Sequence, residues 1–325
     1  MDLPDNLRLA LSNALATMPQ KSLAAAAAHL SVRYRGNHSP GEGSLARSPI
    51  DVAAYAAYRL PATFAAIYAT LDEVRKRRPG WQPRTLLDAG AGPGTATWAA
   101  GEVWPELEQI ILLEREEAMI AFGKQMSRHA SSVAVRQAHW QRVDLLGKWE
   151  SVPCDLVITS YVLGELPPLR REEFLNKLWA QTADTLVIIE PGTPAGFSHI
   201  RSARQHLINA GANIMAPCPH NLACPMGDND WCHFSQRISR TQVHRQVKQA
   251  DLSYEDEKFS YVVLSRTTDL PISGRVIRHP QIRSGHIYLE LCTPGGLKTS
   301  IVTRKDREAF RQARDLHWGD AVSSS

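Results

Sequence analysis

The middle of the chain alternates short apolar runs with segments in which apolar residues recur at helical spacing. The sequence therefore predicts strands in "RTLLDAG", "QIILLERE", "CDLVITSYVLGEL" and "TLVIIEPG", and helices in "TATWAAGEVW", "EAMIAFGKQMSRHA" and "REEFLNKLWAQTA". Strands that alternate with helices form βαβ units around a parallel sheet. The strands are apolar throughout, as expected when helices cover both faces of the sheet. The pattern thus predicts an α/β fold with a doubly wound, Rossmann-like sheet.

The two flanks of this region follow other patterns. Helical spacing over 1–32 and a flexible connector over 36–44 precede one or two amphipathic helices that break near Pro61. Beyond the last of the alternating strands, the sequence predicts a helix over 195–215, a Cys-rich segment and a strand over 259–267. Two strands joined by a Pro-Gly-Gly turn follow in "HIYLELCTPGGLKTSIVTRK", and a closing helix lies in "DREAFRQARDLHWGD".

These patterns divide the 325 residues into four segments. An N-terminal helical region is predicted over 1–75 and the Rossmann-like core over 76–200. A Cys-rich segment follows over 201–258, and the final sheet strands with a basic hairpin and helix over 259–325.

The composition is that of a soluble globular protein, with 43% hydrophobic and 22% charged residues. Its apolar runs fall short of the roughly 18 residues that span a bilayer. The first twenty residues carry Asp2 and Asp5, and they lack both the apolar core of a signal peptide and the Arg-rich character of a transit peptide. We therefore expect a cytoplasmic, bacterial protein without a membrane partner. We also expect a monomer.

A glycine-rich loop follows the first predicted strand. The stretch "LLDAGAGPGTAT" places Gly90, Gly92 and Gly94 between that strand and the first helix of the core. Glycine lets the backbone approach a ligand closely, and a helix N-terminus offers free N–H groups. Glu114 ends the second strand, 26 residues after Asp88, where a carboxylate can accept hydrogen bonds from both hydroxyls of a ribose. This order indicates a nucleoside cofactor at the carboxyl edge of the sheet.

Two cofactors are compatible with this loop. The dinucleotide fingerprint is G-x-G-x-x-G, whereas this loop is Asp-Ala-Gly-x-Gly-x-Gly and resembles the first motif of class I S-adenosylmethionine-dependent methyltransferases. The resemblance implies that Asp88 helps to hold the methionine end, that the three glycines line the cofactor and that Glu114 holds the ribose. S-adenosylmethionine is therefore favoured over NAD.

The sequence does not identify the residues that would catalyse methyl transfer. Amino-group methyltransferases often carry an Asn/Asp-Pro-Pro-aromatic motif after the fourth strand, and the corresponding stretch here is "SYVLGELPP". Tyr161 in this stretch could stack on a base or form part of the core or rim. Glu190 could face the pocket or cap a loop. Cys154 begins an apolar strand and is predicted to be a small buried residue.

Three of the five cysteines gather in "CPHNLACPMGDNDWC" with C-x5-C-x7-C spacing, and a fourth lies in the predicted hairpin. In a reducing compartment, a low and odd number of cysteines favours metal or redox chemistry over a disulfide scaffold. Four thiolates suit a cubane iron–sulfur cluster or a structural zinc, although the close Cys-x2–4-Cys knuckle typical of zinc is missing. A cluster, zinc and unliganded cysteines all stay open at this point. The candidate ligands are four cysteines, with two histidines as substitutes for the last: Cys218, Cys224, Cys232, Cys292, His220 and His233.

Eight short stretches, in this order, make the chain similar to the methyltransferase-like proteins of the small ribosomal subunit. Eukaryotic members of that family act in assembly of the mitochondrial ribosome, and the family has bacterial relatives. The stretches span 55–320 and are "AAYRLPATFAA", "LLDAGAGPGTATWAA", "YVLGELP", "IIEPGTPAGF", "CPH…CP…WCHFSQR", "FSYVVLSR", "LCTPGG" and "ARDLHWGD". The resemblance implies a [4Fe–4S] cluster held by Cys218, Cys224, Cys232 and Cys292. Four thiolates would occupy a coordination site on every iron of the cluster. The resemblance therefore also implies a structural or stability-sensing cluster.

Basic residues concentrate toward the C-terminus. Residues 201–325 hold 17 Lys and Arg against 12 Asp and Glu, whereas the first 200 hold 20 against 21. Arginine forks suit phosphates, and the resemblance implies ribosomal RNA of the small subunit as the partner. The candidate RNA contacts are Arg275, Arg278, Arg283, Arg304 and Lys305.

Three functions stay open. The favoured one is an S-adenosylmethionine-dependent methyltransferase that acts on ribosomal RNA. The first alternative is a non-catalytic ribosome assembly factor on the same scaffold, because a fold alone does not imply an activity. The second is a nicotinamide-dependent oxidoreductase of small molecules.

Overall fold

A computed structural model describes residues 1–35, 48–149, 151–240, 253–268 and 272–322. The predicted connector over 36–44 lies outside these residues. The helices are α1 (Asp5–Leu15), α2 (Gln20–Arg35), α3 (Pro49–Tyr58), α4 (Leu60–Arg77), α5 (Thr95–Val103), α6 (Glu117–Ser127), α7 (Val133–Arg136), α8 (Arg171–Ala180), α9 (Pro194–Asn209) and α10 (Arg307–Arg314). The strands are β1 (Thr85–Ala89), β2 (Gln109–Glu114), β3 (His139–Arg142), β4 (Cys154–Ser160), β5 (Thr182–Pro191), β6 (Asn213–Ala216), β7 (Phe234–Ser239), β8 (Tyr254–Ser265), β9 (Gly274–Val276), β10 (Gln281–Arg283), β11 (His286–Thr293), β12 (Gly296–Thr303) and β13 (Ala321–Val322).

The large sheet has the strand order β3-β2-β1-β4-β5-β8-β6, and β7 also pairs with β8. The first five strands of this order are parallel. The direction in which the chain adds strands reverses between β1 and β4. In open α/β sheets this reversal creates the crevice in which ligands bind, at the carboxyl ends of the strands. The predicted α/β fold, a doubly wound Rossmann-like sheet of the class I methyltransferase type, is confirmed.

The sheet is mixed, however, rather than parallel throughout. β8 runs antiparallel to β5, and β6 and β7 pair antiparallel with the other edge of β8. An apolar run predicts a strand but carries no signal for its direction, which explains the difference. The helix predicted over 195–215 also ends early, at Asn209. Gly211, with φ of 88°, turns the chain there, and β6 follows.

Apolar side chains of the parallel strands alternate between two cores. Leu86 packs on one face with the N-terminal helices, in a core that buries Phe64 and Trp104 completely. Leu87 packs on the other face with α8 and α9, in a core that contains Phe174. Both faces of the sheet are therefore covered, as the continuous apolar strands predicted.

The expected break near Pro61 is also present, since α3 ends at Tyr58 and α4 begins at Leu60. Proline lacks an N–H donor and is tolerated in the first turn of a helix, which is where Pro61 lies. None of the described helices combines the length and the apolar character that crossing a bilayer requires.

A smaller antiparallel sheet is formed by β9 to β13. β11 and β12 are the predicted hairpin, paired from His286↔Thr303 to Thr293↔Gly296. β9 and β10 pair with the other edge of β11. Val276 and Ile287 lie in its core, against α10. The sequence analysis missed β9, β10 and β13, because strands of two or three residues are too short to show a period.

Candidate cofactor edge and four-cysteine cavity

The glycine loop leaves β1 and enters α5 at the carboxyl edge of the sheet. Gly90, Gly92 and Gly94 have φ of 78°, 53° and 84°, the left-handed region that favours glycine. A Cβ atom on Gly90 would lie 2.4 Å from the Val162 side chain, whereas one on Gly92 would meet nothing within 4 Å. Gly90 is therefore needed for packing, and the backbone of Gly92 borders open space.

Glu114 stands beside this loop at the end of β2. One carboxylate oxygen accepts a hydrogen bond from the Gly92 N–H at 2.8 Å, and the other accepts from the N–H groups of Arg115 and Glu116 at 2.7 and 2.8 Å. Burial raises the pKa of Glu114, and these backbone bonds oppose that rise. The carboxylate thus fixes the loop, and each oxygen keeps acceptor capacity.

Asp88 is fully buried at the C-terminal end of β1. Its Oδ2 accepts hydrogen bonds from the backbone N–H and the hydroxyl of Thr97, at 3.2 and 3.0 Å. Its Oδ1 has no hydrogen-bond partner. Burial raises the pKa of Asp88 to about 7, against the hydrogen bonds from Thr97. An unpaired buried carboxylate oxygen fits a site that takes up a donor from outside the chain.

The segment after β4 closes over the glycine loop. Tyr161 has φ of 61°, unusual for a residue other than glycine, and its hydroxyl donates a hydrogen bond to Glu257 at 3.2 Å. Arg59 makes a two-pronged ion pair with the same carboxylate, at 2.8 and 3.1 Å. Glu190 is buried and accepts from the Leu163 N–H at 2.8 Å. Tyr161 and Glu190 therefore hold the segment in place through bonds within the protein.

The four candidate ligand cysteines line one cavity. Cys218 follows β6, Cys224 and Cys232 lie in the segment before β7, and Cys292 comes from β11 of the small sheet. All four are free thiols, as is Cys154. Phe197, Met226 and Tyr261 are among the other residues that line this cavity. Cys154 is buried in β4, far along the chain from this set, as predicted.

Burial disfavours the thiolate form of three of the cysteines in this cavity. Burial raises the pKa of Cys292 to about 12 and that of Cys232 well above its ordinary value, and the neighbouring cysteines add to both shifts. Burial likewise raises the pKa of Cys218, which Arg204 opposes. Metal binding at such a site displaces the protons, so its affinity depends on pH.

Within the described ranges no group of three or more His, Cys, Asp and Glu side chains is already arranged as a metal site. The backbone nevertheless brings the four cysteines to one cavity, and backbone positions determine which thiols can meet. The sulfur atoms themselves can reorient, because a cysteine sulfur moves by rotation about a single bond. The donor set therefore fits a four-thiolate metal or cluster.

The two histidines proposed as substitutes lie near the cavity but are not among its lining residues. His220 Nε2 is 4.0 Å from the sulfur of Cys292. The ring of His233 stacks on Trp231 and meets the edge of Trp318, with ring centroids 5.2 and 5.0 Å apart. His233 thus packs against two aromatic rings, and His220 contacts a thiol.

The chain matches a known protein family. A model of the family described as "Mitochondrial small ribosomal subunit Rsm22" matches residues 49–323. The chain belongs to the Rsm22 family. The predicted resemblance to methyltransferase-like proteins of the small ribosomal subunit is thereby confirmed.

Relatives of this Rsm22-family chain occur in animals and fungi. The human protein named "Ribosome assembly protein METTL17, mitochondrial" is 32% identical over 296 residues, which cover 82% of this chain and 61% of the human protein. "Ribosome assembly protein RSM22, mitochondrial" of Saccharomyces cerevisiae is 22% identical in an alignment of 428 positions. The alignment covers 86% of this chain and 68% of that one. A Schizosaccharomyces pombe "Rsm22-cox11 tandem protein" is 26% identical, over 83% of this chain and 42% of its own length. The chain thus spans less than two thirds of the human and fission yeast proteins.

Solved structures of similar fold include magnesium protoporphyrin IX methyltransferase of Synechocystis PCC 6803 with bound S-adenosylmethionine. The match covers 81% of this chain and 98% of that one, with 12% identity and a TM-score of 0.42. The strand order of the large sheet, rather than this similarity, defines the fold of the Rsm22-family chain.

The predicted location is wrong. The relatives in human and in both yeasts are named mitochondrial, as is the family, which contradicts a cytoplasmic, bacterial protein. The prediction rested on the character of the first twenty residues, and those residues do not decide where a protein of this family works.

The structure separates the candidate RNA contacts of the Rsm22-family chain into two groups. Arg275 is only 1% exposed, forms an ion pair with Glu73 at 2.6 Å and donates to the Pro217 carbonyl, so it is not available to a phosphate. The prediction that Arg275 contacts RNA is therefore wrong. Arg275 lies in β9 and pairs with Cys292 of β11, so its side chain points inward. Arg278 is half-buried and paired with Asp230.

The remaining three basic residues lie exposed at one end of the small sheet. Arg283 ends β10, while Arg304 and Lys305 follow β12. The Arg304 N–H donates to the carbonyl of Gly285, two residues beyond Arg283, which brings both strand ends together. Lys298 is also exposed on β12 and was missed, but it lies near the other end of the hairpin, where it pairs with Leu291 close to the turn between β11 and β12. It was missed because a lone lysine in a strand has no distinctive sequence signal.

Arg204 is a second residue that the sequence analysis missed. It lines the cysteine cavity from α9 and is 3% exposed. The signal was present, since Phe197, Ile200, Arg204 and Leu207 share one helical face, and an arginine on an apolar face indicates a special partner.

Proposed function

We propose that the chain is an S-adenosylmethionine-binding, methyltransferase-like protein that holds a [4Fe–4S] cluster and acts on the small ribosomal subunit. The observation that carries the proposal is the convergence of four cysteines, from two distant segments, on one cavity of an Rsm22-family chain. The names of the relatives, which are ribosome assembly proteins, support the ribosomal part of the proposal.

S-adenosylmethionine would bind at the carboxyl edge of the sheet. Its sulfonium supplies an electrophilic methyl group when bound. Gly92 would let the cofactor approach the backbone, Asp88 would accept a hydrogen bond through the oxygen that has no partner, and Glu114 would accept from the ribose hydroxyls. Gly90 and Gly94 would keep the loop in the left-handed conformation that this approach requires.

The cluster would be held by Cys218, Cys224, Cys232 and Cys292. Three of these ligands lie in the segment before β7 and the fourth in β11, so the occupied site would cross-link the large-sheet segment to the small sheet. Closing a long loop in this way supplies folding free energy, as a structural metal does. Zinc is the alternative occupant of the same four thiolates.

Ribosomal RNA would contact the exposed basic end of the small sheet. Arg283, Arg304 and Lys305 are exposed there. Arginine and lysine neutralise phosphates without reading sequence, so this surface would position the protein on RNA and would not select a nucleotide.

A non-catalytic assembly factor is the second candidate. It is favoured by the segment after β4, where the side chains of Tyr161 and Glu190 are engaged in bonds within the protein. Such a protein would use S-adenosylmethionine as a structural ligand or not at all. The nicotinamide-dependent oxidoreductase has no observation in its favour.

Anaerobic purification with analysis of metal, sulfide and bound nucleoside tests the proposal. We expect about four irons and four sulfides per chain and calorimetric binding of S-adenosylmethionine. Transfer of a labelled methyl group to precursor small-subunit RNA would favour the enzyme, whereas RNA binding without transfer would favour the assembly factor. A colourless protein with one tightly bound zinc would overturn the cluster.

A further inference from the structure

The wall of the cysteine cavity contains a buried cation without a counter-ion. Arg204 is 3% exposed on α9, and its Nη2 donates to the carbonyls of His220 and Leu222 at 3.0 and 2.6 Å. Its Nε is buried and has no hydrogen-bond partner. In the part of the chain that the structure describes, no carboxylate forms an ion pair with this guanidinium. The hydrogen bonds to carbonyls orient Arg204 but leave its charge uncompensated.

A second buried arginine lies beside the cavity in the small sheet, although it is not among the residues that line the cavity. Arg275 lies directly opposite Cys292 in the antiparallel pair of β9 and β11, so both side chains are on the same face. Its charge is paired with Glu73, but its Nη2 is buried without a partner. Arg204 thus lines the cavity and Arg275 lies on the strand next to Cys292, and each has one buried N–H donor without a partner.

An isolated buried charge is strongly unfavourable unless an opposite charge or a full set of hydrogen bonds accompanies it. A thiol is neutral and cannot compensate the charge of Arg204. Four thiolates around a metal cluster can, since their negative charge exceeds the positive charge of the metal core and leaves the occupied site a net anion. The cavity is thus complete only with an anionic occupant.

We propose that Arg204 is the charge-compensating residue of the four-cysteine site, with the free donor of Arg275 as its second hydrogen-bond source, and that Arg204 sets the reduction potential of the bound cluster. This inference rests on the proposed cluster. Reduction adds an electron to an already anionic site, and a nearby cation stabilises the more negative state more strongly. Arg204 therefore raises the reduction potential, and it slows the loss of iron.

Two substitutions separate the charge of Arg204 from its hydrogen bonds. Arg204→Gln removes the charge but keeps an amide N–H that can reach the carbonyls, and Arg204→Lys keeps the charge. Arg201→Gln is the matched control, because Arg201 lies one turn earlier on α9 and also lines the cavity. Its side chain is 39% exposed and faces Asp228 at 3.6 Å, so its charge is already screened.

The experiment is a reductive titration of the anaerobic full chain, followed by electron paramagnetic resonance, together with the rate of iron transfer to a chelator. We expect Arg204→Gln to shift the reduction potential to more negative values and to lose iron several-fold faster. Arg204→Lys and Arg201→Gln should stay close to the wild type. Iron loss confined to Arg204→Gln during purification would support the same conclusion.

An unchanged potential and an unchanged rate of iron loss in Arg204→Gln would overturn the inference while leaving the cluster itself in place. Equal loss of the cluster from Arg204→Gln and Arg204→Lys would also overturn it, because the guanidinium would then act through its bonds to the loop and not through its charge. A wild-type chain without a reducible cluster would instead overturn the proposed function, and the inference with it.

Discussion

At the residue scale, the cofactor edge combines one open position with one unsatisfied atom. The Cβ position of Gly92 borders open space, and Oδ1 of the buried Asp88 has no hydrogen-bond partner. Glu114, by contrast, is engaged by three backbone N–H groups and fixes the loop between them. Gly92 therefore offers a steric test of the site, and Asp88 offers an electrostatic test.

The steric test replaces Gly92 by alanine. The left-handed backbone costs a non-glycine residue about 1–2 kcal/mol of stability, and the new methyl group enters the space assigned to the cofactor. Gly211→Ala is the control, because Gly211 also has a positive φ and no neighbour within 4 Å but lies beyond α9. We expect similar losses of thermal stability in both variants, and a weaker calorimetric affinity for S-adenosylmethionine only in Gly92→Ala. Equal affinities in the two variants would contradict the site.

The electrostatic test uses the raised pKa of Asp88, about 7 in the folded protein. Below about pH 4 the carboxyl is protonated in both states. Between there and pH 7 the unfolded chain releases a proton that the folded protein keeps, so Asp88 lowers stability as the pH rises. The full effect is on the order of 4 kcal/mol.

Asp88→Asn removes this contribution. We expect the free energy of unfolding of the variant, relative to that of the wild type, to increase between pH 4.5 and pH 8. The measurement is a denaturant titration without added ligand. The exposed Asp144 provides the control Asp144→Asn, which should follow the wild type. Parallel curves for Asp88→Asn and the wild type would show that Asp88 titrates normally.

At the scale of elements, β11 connects the two parts of the proposed metal site. It lies in the middle of the small sheet, between β12 on one edge and β9 and β10 on the other. Cys292 near its end faces the three cysteines that precede β7. The occupied site would therefore hold β11 against the large sheet.

Cys292→Ser should uncouple these elements. We expect the variant to retain less iron after anaerobic purification and to expose its C-terminal part to limited proteolysis, because the loop closure supplied by the fourth ligand is lost. Cys154→Ser is the control, since Cys154 is buried in β4 away from the cavity. It should keep its iron. Full iron retention in Cys292→Ser would exclude Cys292 as a ligand and favour His220, whose Nε2 is 4.0 Å away.

At the scale of the whole molecule, the carboxylates of the cofactor edge and the exposed basic residues belong to different sheets. The cofactor edge lies at the carboxyl ends of the parallel strands, where Glu114 and Glu190 are found. The exposed basic residues lie at one end of the small sheet, next to exposed Ile282 and Ile301. A polyanion would therefore dock on the small sheet.

The triple substitution of Arg283, Arg304 and Lys305 by glutamine tests that docking surface. If each contacts one phosphate, the slope of log affinity against log salt should fall by about 2 in total, at roughly 0.7 per contact for single-stranded RNA. The control triple replaces Arg8, Arg84 and Arg237, each exposed and paired with a carboxylate. The measurement is binding to small-subunit RNA across a salt series, and identical slopes in the two triples would exclude this surface.

The sequence by itself determined what depends on local order. Alternating apolar runs gave the α/β class, the glycines after β1 gave the cofactor edge, and the cysteine spacing gave the ligand candidates. Tertiary structure alone decided the direction of β8 and which of the arginines are buried; it also placed Cys292, which only the family resemblance had grouped with the other three cysteines, in the same cavity. Arg275 and Arg283 lie eight residues apart and look alike in sequence, yet one is buried against Glu73 and the other is exposed. The reason is that periodicity is a property of neighbours along the chain, whereas the burial of a charge depends on partners that only the fold brings near.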